Sequence, residues 1–186
     1  MKKLYFISNN EEKIKEVSSF FKNFGIKIIG KKLNLLEPKY KRLEEVAREK
    51  AIQASKKLKK PLIVEDTGIY FNCYKNFPGT ISKFIFETIG FDGIFRLLSR
   101  KTRRAYFKTA VAYYKPREKI LIFTGICRGK ITRKIRGRIN KKMPYDNIFV
   151  PEGCKKTFSE MSKEEKAKYS HRAKALEKFA KWFIKN

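Results

Sequence analysis

The chain has 186 residues, 46 of them Lys or Arg against 18 Asp or Glu, for a net charge of +28. Hydrophobic residues make up 42% and aromatics 14%, which argues for a packed core and against disorder. No apolar run approaches the roughly 20 residues of a membrane span, and Cys73, Cys127 and Cys154 outline neither a zinc site nor a disulfide framework.

A reducing cytoplasm is the expected location, with no membrane partner. The charge predicts attraction to polyanions, including nonspecific nucleic-acid binding at low salt. The basic residues run along the whole chain and form no separate tail.

The stretch KLYFIS reads as a short buried strand, broken by NNEE. Ile14, Val17, Phe20, Phe21 and Phe24 then recur at helical spacing over 11–24, and Gly25 stops that helix. IKIIG is a second strand, and LNLLEPKYKR a loop around Pro38. Residues 43–59 form a second helix with Leu43, Val46, Ala47, Ala51, Ala54 and Leu58 along one side; LIV, after Pro61, is a third strand. The order β-α-β-α-β predicts an α/β sheet.

EDTG is expected at the C-terminal end of that third strand, IYFNCY as a further strand, and NFPGT as a turn. Residues 80–99 read as two short helices broken at Gly90. Residues 105–114 and 119–132 are β-rich and predict a hairpin around KPRE. GRINKKMPYDN is a loop, IFV a strand, and the chain is helical from about Ser162. There is no repeat or linker, so one domain accounts for the chain.

Three stretches carry chemistry. In SNNEEKIKE a strand empties into a polar turn that opens a helix, whose exposed N–H groups and dipole favour an anion. Ser8, Asn10 and Lys13 suit a phosphate cradle, although Asn10 alone is also a good N-cap. In VEDTG, Glu65 and Asp66 offer hard oxygens suited to Mg²⁺; the alternative is a turn in which Asp66 caps its own backbone and Gly68 supplies an unusual φ. In EMSKEEKAKYSHR, Ser162 and Glu165 have capping-box spacing, Ser170 can cap the last helix, and His171 is the one histidine of the chain.

Together these stretches resemble the inosine triphosphate pyrophosphatase family over nearly the whole chain. The matching pieces, in order, are Ser8-x-Asn10-x-x-Lys13-x-x-Glu16, Glu65 to Gly68, FPGTISK with Lys83, and Lys166-x-x-x-Ser170-His171-Arg172. The resemblance implies one α/β domain, residues 1–186, of two lobes around a mixed β-sheet with flanking helices and an active site in the cleft. It implies Mg²⁺-dependent cleavage of non-standard purine nucleoside triphosphates to monophosphate and pyrophosphate, and a homodimer. Ser8, Asn10, Lys13, Lys50 and Lys83 would hold the triphosphate. Asp66 would be the catalytic and metal-linked carboxylate, with Glu65 beside it. Tyr145, Asp146, Lys166, Ser170, His171 and Arg172 would surround the base, the His-Arg pair donating to its 6-keto oxygen.

Three departures stand out. Asn9 replaces a usual glycine. Glu37 precedes Pro38 where the family has a Pro-Glu pair, which makes Glu37 a displaced metal ligand. Met143-Pro144 replaces the Phe-Gly whose ring stacks on the base. The alternatives are altered base specificity on the same scaffold, or a nucleic-acid-binding protein on a degenerate version of it.

Overall fold

The strands β1 (Lys3–Ile7) and β2 (Lys27–Lys31) lie parallel, and β1 runs parallel to the first residues of β3 (Leu62–Phe71). The helices α1 (Glu11–Lys22) and α2 (Leu43–Lys57) make the two crossovers, as the β-α-β-α-β reading requires. The computed structural model describes residues 2–36, 38 and 42–186, so Glu37 lies outside the described residues.

The sheet continues through β5 (Arg104–Tyr114), β6 (Leu121–Ile131) and β7 (Phe149–Pro151), all antiparallel, in the order β2-β1-β3-β5-β6-β7. The two-residue β4 (Pro78–Gly79) pairs with β3. The sheet is therefore mixed. The expected hairpin is β5–β6, in register from Arg104↔Lys130 to Tyr113↔Leu121.

The EDTG reading needs correction. Glu65 to Gly68 are not at a strand end, and IYF is not a separate strand; β3 runs through all of them for 10 residues. Nor does Gly68 supply an unusual φ. A Cβ there would meet the Gly79 backbone, so glycine is required for β4 to pass close by.

Side chains alternate across a strand, so β3 and β5 divide the core by parity. Ile63, Val111 and Tyr113 pack under α1 and α5 (His171–Lys185) with Phe21, Leu176 and Phe179. Leu62, Val64, Ala110 and Ala112 face α2 through Leu43, Ala47, Ala51 and Ala54. Farther along, Ile69, Phe71, Ala105 and Phe107 pack with Ile94 of α3 (Ser82–Leu97) and with Leu98 just after it. The long strands thus join two lobes. As the sequence predicts, α3 is broken at Gly90, where φ is +61°.

Candidate active site

β1 stops at Ile7, which pairs with Val64, while β3 runs on to Glu65 and Asp66. The turn Ser8–Asn10 and the start of α1 therefore sit at the waist between the lobes. Asn10 Oδ1 accepts from the Glu12 and Lys13 amides at 3.0 and 3.3 Å, its own amide donates to Ser8 Oγ at 3.1 Å, and Nδ2 donates to the Lys142 carbonyl at 3.2 Å. In this state the N-cap role of Asn10 is filled.

The alternation that sorts the core also sorts the two carboxylates. Glu65 follows Ile63 onto the α1/α5 face, and Asp66 follows Val64 onto the α2 face. They are adjacent in sequence but do not share a site.

Glu65 is buried between two cations. Lys13 Nζ lies 2.7 Å from Oε1, and Arg172 donates from Nε to Oε2 at 2.7 Å and from Nη2 to Oε1 at 3.3 Å. Arg172 Nη1 also meets Glu16 Oε2. Glu16 Oε1 accepts from Lys166 at 2.7 Å, and Lys166 reaches Asp146 Oδ2 at 2.7 Å. The result is an alternating chain, Lys13–Glu65–Arg172–Glu16–Lys166–Asp146, of three cations and three anions.

Burial works against a charged Glu65, but Arg172 and Lys13 outweigh it and hold its carboxyl well below the usual range. Burial opposes Glu16 too, and Arg172 and Lys166 override it. For Asp146 burial prevails over Lys166 and raises the carboxyl. A groove of about 530 Å³ borders Glu16, Lys166, Ser170 and Arg172 and follows α1 past Ser19.

On the other face Lys50 donates to Asp66 Oδ1 at 3.1 Å, both side chains mostly shielded. Glu44 pairs with Lys108 nearby. Among the described residues no three His, Cys, Asp or Glu side chains form a metal cluster. Mg²⁺ commonly takes one or two carboxylates together with substrate phosphates, and Asp66 fits that arrangement as a hard-oxygen donor. Lys83 is not drawn into either cluster: it is exposed and lies 3.7 Å from Glu87.

The junction of α4 (Lys163–Tyr169) with α5 forms as its sequence predicts. The capping box closes between Ser162 and Glu165, and Ser170 Oγ accepts from the Ala173 amide at 3.4 Å. His171 is inside the protein, its ring stacked 4.4 Å from Phe107 with only 9° between planes. Its Nδ1 is buried without a hydrogen-bond partner. Burial, with Arg172 and Lys166 adding to it, holds the imidazole well below its usual pKa, so it is neutral. Tyr145 turns into the core, its hydroxyl donating to the Ser82 carbonyl at 2.8 Å, so only its neighbour Asp146 joins the charge chain. Met143 Sδ lies 3.8 Å from Lys166 Nζ.

Sequence reasoning passed over two residues. Glu16 was read only as part of a motif, yet it joins Arg172 to Lys166; its signal was its place one turn after Lys13. Gly125 in β6 lies directly under α5, where a Cβ would collide with the His171 carbonyl and the Ala175 amide. A glycine inside a strand is the usual sign of such close backbone approach.

A family model described as "Ham1 family" matches residues 4–182. A protein from Pyrococcus horikoshii named dITP/XTP pyrophosphatase is 38% identical over 185 residues, 99% of this chain and 98% of that one. A protein of the same name from Ignicoccus hospitalis is 41% identical over 97% of this chain and 96% of its own. Among solved structures, the Ham1 protein of Staphylococcus aureus superposes with a TM-score of 0.80 at 25% identity, covering 98% of each chain. The HAM1 protein of Coxiella burnetii matches the fold over 100% of each chain with a TM-score of 0.84 at 24% identity.

Proposed function

The chain belongs to the Ham1 family, and we propose that it hydrolyses non-standard purine nucleoside triphosphates, dITP, XTP and ITP, to the monophosphate and pyrophosphate. The observation that carries this is a pair of shielded lysine–carboxylate contacts, Lys13–Glu65 and Lys50–Asp66, one on each face of β3 just past the end of β1, in a chain aligned nearly end to end with relatives named for that activity.

Phosphoryl chemistry asks for positioning and charge neutralisation more than covalent help. Ser8, Asn10, Lys13 and Lys50 hold the triphosphate, and Lys83 joins them by leaving Glu87. Asp66 orients a water for attack at the α-phosphorus and takes up its proton. The α–β anhydride bond breaks, and pyrophosphate leaves among the lysines. Glu65, on the far face of β3, acts by holding Lys13 and Arg172 in place. Asp66, with Glu37 as the proposed second carboxylate, would hold Mg²⁺, which would supply neutralisation of charge on the phosphates.

His171, Arg172, Lys166, Ser170 and Asp146 serve the base end. The orphaned Nδ1 of His171 supports this role, because a buried polar atom without a partner costs on the order of 1–3 kcal/mol and a base edge would satisfy it. A 6-keto oxygen accepts from donors there, whereas the adenine amino group would face them unpaired. The enzyme acts in the cytoplasm as a homodimer.

Separate incubation with Mg²⁺ and each triphosphate, followed by chromatography, tests the reading. Monophosphate and pyrophosphate from XTP, dITP and ITP, with ATP spared, is the expected result. Equal cleavage of all triphosphates would favour altered base specificity, for which Met143 in place of a stacking ring is the motive. No cleavage with either Mg²⁺ or Mn²⁺ overturns the reading in favour of a nucleic-acid binder on this fold.

A further inference from the structure

The two faces of the β5–β6 ribbon are covered differently. On one face Ala105, Phe107, Cys127 and Ile131 are buried with Ile94 of α3 and with Leu98 at its end. On the other, the apolar layer shared with α2 ends at Ala110 and Ala112. Beyond it the outward positions are Lys108 and Ile126, then Tyr106 and Arg128, then Arg104 and Lys130; Lys108 is paired with Glu44, while Arg104, Arg128 and Lys130 are all exposed.

The cross-strand register makes this face costly for the fold. Arg104 sits directly opposite Lys130, and Arg128 opposite Tyr106. Like charges facing each other across an antiparallel pair destabilise it. The strands themselves supply no acid, since none occurs in the sequence between Asp92 and Glu118 or between Glu118 and Asp146, and the adjoining Glu44 is paired with Lys108. Among the described residues none of the three cations makes an ion pair. Within the same patch Tyr106 is half-buried and stacked on Tyr70, with centroids 4.8 Å apart and planes 7° apart.

An open sheet face carrying unpaired cations around an aromatic platform has the chemistry of a single-strand nucleic-acid surface, where phosphates meet the cations and bases stack on the ring. We propose that this face, built on Arg104, Tyr106, Arg128 and Lys130, binds single-stranded nucleic acid. A second copy of the chain is disfavoured by charge, since the same basic face would oppose itself. The proposal is independent of the hydrolytic reading, because the Asp66–Lys50 pair plays no part in it.

Fluorescence anisotropy with labelled oligodeoxythymidylate, without nucleotide, measures affinity against salt. Each lost phosphate contact in a single strand lowers the log–log salt slope by about 0.7, so R104A/R128A/K130A is expected to lower it by about 2 and weaken binding roughly tenfold or more. The control K22A/K27A/K59A removes the same charge from exposed positions on the other lobe and is expected to change little. Equal losses in both triple variants would mean bulk attraction and overturn the proposal. So would tighter binding to duplex DNA or to anionic lipid vesicles than to the single strand. A melting temperature unchanged in the control variant and at or above the parent's in R104A/R128A/K130A confirms that the fold is intact, and Y106L, expected to weaken single-strand binding about tenfold, checks the stacking platform separately.

Discussion

Arg172 grips Glu65 through two donors, Nε to Oε2 at 2.7 Å and Nη2 to Oε1 at 3.3 Å, and neither side chain is appreciably exposed. The pair joins the first turn of α5 to the middle of β3, and Lys13 ties α1 to the same carboxylate. Three elements distant in sequence therefore depend on one buried anion.

Removing that anion should be costly. Glu65→Gln leaves Arg172 and Lys13 in a shielded site with a neutral partner, and breaking a buried pair costs about 3–5 kcal/mol. Chemical denaturation should show a loss of that order. A loss under about 1 kcal/mol would mean that solvent reaches the site and that Glu65 does not organise the three elements.

Asp66 should behave in the opposite way. Its side chain lies on the other face of β3 and pairs with Lys50 of α2. Asp66→Asn should reduce hydrolysis at least 100-fold, the scale of a lost general base, with little change in melting temperature. Full activity in this variant would remove Asp66 from the proposed mechanism.

The contrast between these neighbours shows where sequence reading reached and where it stopped. The β-α-β-α-β order, the Gly90 break and the capping by Ser162 and Ser170 were legible, because each rests on local spacing or local chemistry. That Glu65 and Asp66 diverge was not, because the sequence reads as a strand end at EDTG where β3 in fact continues, and only continuous strand alternation parts them. Lys83 matched a motif, yet its exposure next to Glu87 depends on how α3 packs. The buried seat of His171 required knowing that Gly125 lets α5 rest on β6.

Gly125→Ala tests that last point. The new methyl group would press on backbone rather than on a flexible side chain, so α5 must shift. Stability and hydrolysis should fall together, since His171 and Arg172 ride on the displaced turn. Crystal structures with an unmoved α5 would contradict this account.

His171 should also leave a signature in pH dependence. Its folded pKa is depressed below the unfolded value of 6.5, so its contribution is complete above pH 6.5 and declines as pH falls, when the unfolded chain takes up the proton first. Stability should drop by up to about 1.4 kcal/mol per pH unit below 6.5. Glu65 and Glu16, depressed from 4.5, add their loss only below that value. His171→Leu should flatten the window between 6.5 and 4.5 without weakening the protein at pH 7, while reducing the preference for XTP over ATP. A pH profile identical to that of the parent would place the titration elsewhere.

Met143 offers a gain rather than a loss. Its sulfur sits 3.8 Å from Lys166, where the family resemblance places an aromatic ring against the base. A thioether packs on a ring but has no π-face of its own. Aromatic pairs contribute about 0.5–1.5 kcal/mol beyond buried area, so Met143→Phe should lower the KM for purine triphosphates about two- to tenfold. The turnover number should stay nearly constant, because stacking acts on ground and transition states alike. If KM is unchanged while inosine and xanthosine triphosphates remain substrates, the base lies away from residue 143, and the charge chain from Arg172 to Asp146 must orient it without a stacking partner.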